Sequence, residues 1–413
     1  MNSRNLNSKI LQMKAEQTSN YVESNAMKRF NKYMKEAENN QNPIAYYNLA
    51  ILYFRGEENV VEQDKQKAIE LYSKASDLGN AKAQFNLALL YSKGDGVQQS
   101  KQKAAELYEK AAKQGNSKAQ TNLGLMYAQG DGVSQNYERA AQLFIEAAAQ
   151  NEPEAEFNLG LLYSHGYGVN RDEEKSIELF QKSALKGNDK AQFNLGVLYT
   201  TGIEDIIEKD VKKAIEFYSM SASKGNSEAQ FNLGLIYSKG IPGKITKNIN
   251  KAAHFFQLSA DQDNSDALLN LGKLYFNSDE GFQVNKKKSI ELFERSASLN
   301  NPLALFNLGN IYFKGDGVEQ DKQKAADFYQ KAADLGVEQA KFNLAVMHYI
   351  GDGVEINKEK AASLFEQSAK TGNKMAAFNL AVMYTNGDGV EQSSSKATKM
   401  IKRATEIQQN ENK

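Results

Sequence analysis

Residues 81–116 read AKAQFNLALLYSKGDGVQQSKQKAAELYEKAAKQGN, two apolar-periodic segments on either side of a loop bracketed by glycines. In the first, Ala83, Leu87, Leu90 and Tyr91 fall at i, i+4, i+7 and i+8. In the second, Ala104, Leu107, Tyr108 and Ala111 fall at i, i+3, i+4 and i+7. Each set lies on one face of a 3.6-residue period, so the stretch predicts a pair of amphipathic helices, A and then B.

The same pair recurs along the chain. Asn-Leu-Gly/Ala stands ten times, with its Asn at Asn48, Asn86, Asn122, Asn158, Asn194, Asn232, Asn270, Asn307, Asn343 and Asn379, at intervals of 36 to 38 residues. A second marker, Lys/Arg followed by Ala or Ser, opens each B segment, and the distance from its small residue to the next marker Asn is always 18. All variation in length therefore falls in the connection from A to B. Four residues before each B marker stands Asp64, Ser100, Asn136, Asp172, Asp210, Asn248, Asn285, Asp321, Asn357 or Ser393. All ten are N-cap types, each able to stabilise its helix by about 1 kcal/mol. Gly-Asn at 79–80, 115–116, 187–188, 225–226 and 372–373 predicts a left-handed stop for one helix and a cap for the next. The valine of Gly-Asp-Gly-Val, Val97 in the quoted stretch, is expected to pin the loop to the core.

The pattern A-x-x-x-N-L-G-x-x-Y, G-x-G-V, K-A, an aromatic residue and A-A-x-x-G closely resembles the Sel-one-like repeat family. The resemblance covers about residues 42–408. It implies an all-α fold, a right-handed superhelical α/α solenoid of about ten helix-pair repeats. It also implies scaffold or adaptor work through protein or peptide partners; from the residues themselves no catalytic group and no cofactor are expected.

Around the repeats, residues 1–22 read as a flexible polar N-terminus and 23–41 as a capping half-repeat in helix B register, with Phe30, Tyr33, Met34 and Ala37 on its apolar face. Residues 409–413 read as a polar tail. The 413 residues thus measure repeat number, not a count of globular domains. Charges balance at 51 basic against 51 acidic, which disfavours nucleic acid as a partner, and no apolar run reaches the length of a membrane span. The absence of Cys removes thiol catalysis and Cys-based metal centres. These features lead to the expectation of an intracellular, cytoplasmic protein with no membrane insertion.

A helix pair cannot bury both faces alone, so repeats stack, and helix A is expected to line a concave surface. With apolar residues on two sides of helix A, one strip remains: Lys82, Asn86, Leu89 and Lys93 in the quoted stretch. The candidate peptide-binding residues are Asn86, Asn122, Asn158, Asn194, Asn232, Asn270, Asn307, Asn343 and Asn379, with Lys82, Lys118, Lys190 and His165 beside them. An Asn amide offers a donor and an acceptor to a passing peptide unit, so a ladder of them would hold an extended chain without reading its side chains. The alternative is that each Asn bonds neighbouring protein and spaces the repeats, and both roles are compatible. The irregular loops at 202–207, 240–245 and 277–282 are open to two readings, neutral variation or a docking edge for a regulatory or accessory subunit.

Catalysis finds no support in the remaining motifs. His348 occupies a slot held elsewhere by Tyr, His254 falls on the exposed face of helix B, and His165 has no second ligand near it in sequence, so no metal site is expected. Gly-Asp-Gly-Val lacks the alternating acids of a calcium loop. Ser183-Ala-Leu-Lys186, Ser221-Ala-Ser-Lys224 and Lys370-Thr371-Gly372 match serine-enzyme motifs, but all lie near the end of a B helix and follow from repeat register.

Overall fold

The computed structural model describes residues 25–277 and 282–411, and among them all regular structure is helical. The chain divides into two units, Met1–Leu195 and Gly196–Lys413. The first holds α1 (25–40), α2 (Pro43–Arg55), α3 (Lys65–Asp77), α4 (Ala81–Lys93), α5 (Lys101–Lys113), α6 (Ser117–Gln129), α7 (Tyr137–Ala148), α8 (Pro153–His165) and α9 (Glu173–Leu185). Helix α10 (Asp189–Thr201) carries the division. The second holds α11 (Val211–Ser223), α12 (Ser227–Lys239), α13 (Ile249–Ala260), α14 (Ser265–Phe276), α15 (Lys286–Ser298), α16 (Pro302–Lys314), α17 (Lys322–Asp334), α18 (Glu338–Ile350), α19 (Lys358–Lys370), α20 (Lys374–Asn386) and α21 (Ser394–Glu411). From α2 on, even-numbered helices are A and odd-numbered ones B.

Each helix begins and ends where its flanking residues dictate. All ten expected B caps accept a hydrogen bond from a backbone N–H of the first turn, as Asp64 does from Lys67 at 2.9 Å and Ser393 from Lys396 at 3.3 Å. Helix A takes the same cap from Asn80, Asn116, Asn188, Asn226 and Asn373. Helices B end in a left-handed residue. Where the sequence lacks Gly there, Asn151, Asp263 and Asn300 adopt φ of 64°, 60° and 59°, as short polar side chains can. The last helix runs on to Glu411, past the expected start of the tail at 409, because no Gly or Pro interrupts it. Residues 1–24, 278–281 and 412–413, which include the whole segment read as a flexible N-terminus (1–22), the first two residues of the capping half-repeat, part of one irregular loop and the end of the tail, lie outside the described residues.

Within each unit, helices pack on their neighbours in sequence. The apolar residues that set the period form the core: Ala83, Leu87 and Leu90 are buried in the first unit and Ala340, Leu344 and Met347 in the second. Helix α1 lays Ala37, Phe30, Tyr33 and Met34 against the first of these clusters. Val97, Val133 and Val169 of the loops pack on the cores of the first unit, and Val318, Val354 and Val390 on that of the second.

Candidate functional site

The strip of helix A lies partly open. Lys82 and Lys118 are exposed, whereas Asn86, Asn122, Asn194, Asn232, Asn270, Asn307, Asn343 and Asn379 are half-buried and Asn158 is buried. Lys190 is exposed but paired, its ammonium 2.9 Å from Glu154. His165 is exposed, with Nδ1 2.9 Å from the Leu161 carbonyl oxygen and its ring stacked on Tyr167. An acid at the first strip position binds the cap Asn of the following repeat: Asn188 donates to Glu154, Asn264 to Glu228 and Asn301 to Asp266.

What the ladder amides do depends on the aromatic residue of the preceding B helix. In three of the four repeats where it is Tyr, the Asn amide meets its hydroxyl: Asn86 donates to Tyr72 at 3.3 Å and Asn122 to Tyr108 at 3.2 Å, with Asn343 likewise bonded to Tyr329, whereas Tyr218, ahead of Asn232, has its hydroxyl 3.3 Å from that of Thr200. Where it is Phe, no oxygen is available. Asn158 then turns to the Glu154 carbonyl oxygen at 2.7 Å and Asn270 to that of Asp266 at 2.8 Å. Asn194, Asn232, Asn307 and Asn379 have no side-chain hydrogen bond among the described residues.

Burial pushes the phenols of Tyr108 and Tyr329 up to about 12, and those of Tyr72 and Tyr218 upward, partly offset by hydrogen bonds that favour the ionised form. A folded-state pKa raised above the unfolded value contributes stability that is complete below about pH 10 and is lost as pH rises through the folded value. The melting temperature is therefore expected to fall between about pH 10 and pH 12 as phenolate absorbance appears. Tyr108→Phe and Tyr329→Phe, residues that sister repeats carry, should shrink the drop; an identical drop in the double variant would refute the assignment.

These aromatics also explain the marker tripeptide. A Cβ built on Gly124 would sit 2.6 Å from Phe144, on Gly234 2.5 Å from Phe256 and on Gly309 2.6 Å from Tyr329, so the ring of helix B rests on bare backbone of helix A. Where the residue before the Asn is aromatic it can meet the same ring, as Phe85 does Tyr108 at 5.8 Å and Phe231 does Phe256 at 5.9 Å between centroids.

The Gly-Asp-Gly-Val loop joins one repeat to the last through a contact the sequence reading missed. Gly94, at φ 74°, caps helix A. Asp95 pairs with Lys65, the first residue of the preceding helix B, at 2.7 Å. Gly132 lies so close to Lys101 that a Cβ would come within 2.5 Å of it. The pairing repeats as Lys101 with Asp131, Lys286 with Asp316, Lys322 with Asp352 and Lys358 with Asp388. Lys358 and Tyr349 together hold the Asp388 carboxyl below its usual range. In the fourth repeat both partners change at once: Tyr137 stands for the Lys, Tyr167 for the Asp, and their rings stack at 4.9 Å. Lys and Asp 30 residues apart, exchanged together for two tyrosines, were the signal in the sequence.

The irregular loops have a different closure, an isolated bridge pairing Ile203 with Ile207 and Ile241 with Ile245, and Glu57 with Val61 in the first repeat. Burial lowers the pKa of the half-buried His348, which sits in its tyrosine slot as expected. Among the described residues no cluster of His, Cys, Asp or Glu could hold a metal ion, and no helix is long and apolar enough to cross a membrane.

A family model described as Sel1 repeat matches ten consecutive segments, 43–80, 81–116, 117–152, 153–188, 189–226, 227–264, 265–301, 302–337, 338–373 and 374–406. Among solved structures, the chain is similar to a Sel1 repeat protein from Oxalobacter formigenes, 28% identical over 81% of this chain and 93% of that one, with a TM-score of 0.56. It is also similar to c5321, a protective antigen of uropathogenic Escherichia coli with an SLR fold, 29% identical over 92% of this chain and 89% of that one, TM-score 0.47. No curated protein matches the chain.

Proposed function

The chain belongs to the Sel1 repeat family, and from that premise we propose that it is a non-enzymatic scaffold whose helix A strips hold an extended segment of a protein partner. Sel1 repeat proteins are in general protein-interaction scaffolds, and the repeat is typically a non-catalytic fold. The observation that supports the groove is the unused capacity of the ladder. The half-buried amides of Asn194, Asn232, Asn307 and Asn379 have no side-chain partner among the described residues, so their donors and acceptors are open to a ligand. A peptide backbone supplies the matching donors and acceptors. The irregular loops, closed on themselves by the bridges of Ile203 and Ile241, give no comparable support to docking at the loop edge.

Two sets of Asn→Ala substitutions separate binding from spacing. In Asn86 and Asn122 the change removes the hydrogen-bond partner of a buried phenol and should destabilise by about 1 kcal/mol per site, read as a lower melting temperature, whereas Asn343→Ala should cost less because the Tyr329 hydroxyl also donates to Asn310. In Asn194, Asn232, Asn307 and Asn379 the melting temperature should stay near that of the parent while partners recovered by affinity purification and mass spectrometry are lost. Undiminished recovery with the second set would rule out the ladder.

A further inference from the structure

The slot three residues after each ladder Asn is aliphatic in eight repeats, as in Leu89, Leu125, Leu161 and Leu235, which are half-buried. Two consecutive repeats of the second unit break this rule, with Lys273 and Asn310. Both line one recess of about 360 Å³ at α14, α15 and α16. Lys314, Asn277 and Asn307 complete most of its polar wall, and Phe276, Phe293 and Ile311 supply an apolar floor. Asp316, also on the wall, is paired with Lys286, whose ammonium also lies 5.5 Å from the Phe276 ring centroid. Neither Lys273 nor Lys314 has an ion-pair partner among the described residues. Asn310 accepts the Tyr329 hydroxyl hydrogen bond at 2.8 Å through Oδ1, which leaves its amide N–H groups without a partner there.

A structural role accounts for Asn310 through that bond, but not for an exposed Lys, without an ion-pair partner among the described residues, in a slot that sister repeats fill with Leu. Two ammonium groups with no ion-pair partner among the described residues and three amides around an apolar floor complement a carboxylate carried next to an apolar side chain. We propose that this recess is the acid-reading subsite of the strip, taking an Asp or Glu side chain of the extended protein segment with an apolar neighbour against the half-buried Phe276. The inference rests on the groove reading above and adds the chemistry of the partner: an acidic, partly apolar peptide.

The test uses the full chain and a display library of random peptides. Selected peptides are resynthesised with the acid, with its isosteric amide, and with phosphoserine in its place. Enrichment of Asp or Glu is expected, with the amide form binding about tenfold more weakly, a loss of about 1.4 kcal/mol, and with affinity falling as salt rises. Lys273→Leu with Lys314→Gln installs residues that sister repeats carry at those slots, so the fold and melting temperature should hold. That variant should bind the acidic peptide no better than the amide form. Peptides selected without acid enrichment, or an acidic peptide bound undiminished by the variant, overturn the subsite and leave the groove standing. Tight binding confined to the phosphoserine form overturns the carboxylate in favour of a phosphate. If the wild-type chain selects no peptide at all, the groove reading falls together with the subsite.

Discussion

Replacing Phe256 with Ala is expected to destabilise the second unit by about 3–5 kcal/mol, the largest effect of any single truncation considered. The ring is 1% exposed, meets Phe231 at 5.9 Å, and rests on the backbone of Gly234. Its removal leaves a cavity between α12 and α13 that neither helix can close without losing register with α14. In a stack stabilised by contacts between neighbours, one weakened joint divides a cooperative transition, so urea unfolding should broaden or split. Two companion variants make the assignment specific. Phe256→Tyr should stay within about 1 kcal/mol of the parent, because Tyr occupies that slot in four repeats and would give Asn270 a hydroxyl to bond. Gly234→Ala alone should cost about 1–3 kcal/mol by overpacking the ring, yet do less harm in the Phe256→Ala background, where space is free. Additive losses in that double-mutant cycle would show that ring and glycine do not press on each other.

Lys186→Ala is the second large effect, about 3 kcal/mol, at the lower end for a broken buried pair because the Lys side chain is about a third exposed. Its ammonium holds Glu156, whose side chain is 4% exposed. One carboxylate oxygen of Glu156 is buried without any hydrogen bond among the described residues, so the Lys is what makes the charge tolerable. Sister repeats meet the same requirement without charge: Gln114 donates to Gln84, Gln150 to Gln120 and Gln262 to Gln230, each at 2.8 Å. The double replacement Glu156→Gln with Lys186→Gln should therefore recover the parent's stability or exceed it. A melting temperature for Lys186→Ala equal to the parent's would place Glu156 in water and refute the pairing.

The helices, their ends and their order were legible in the sequence because each depends on local chemistry repeated ten times: a cap, an apolar period, a left-handed stop. The strip was legible as a position, since periodicity alone decides which residues of helix A avoid the core. The state of each amide was not. Whether Asn86 is bonded depends on Tyr72, 14 residues earlier on another helix, and a sequence period says nothing of which hydroxyl meets which amide. The same holds for Asp95 and Lys65, read as loop and helix start, whose meeting is a property of the stacked pair. Lys273 was visible as a departure from the aliphatic slot, but its link to Asn310 and Lys314 needed the recess to bring them together.

Because the helices touch chiefly their neighbours in sequence, a pull on the chain ends has no long-range contact to break first. Each repeat that peels away releases its own 36 to 38 residues, roughly 120 Å of extended chain, and leaves the next one in place. Under tension such a molecule yields in small, evenly sized steps and rewinds by the same steps when the load drops.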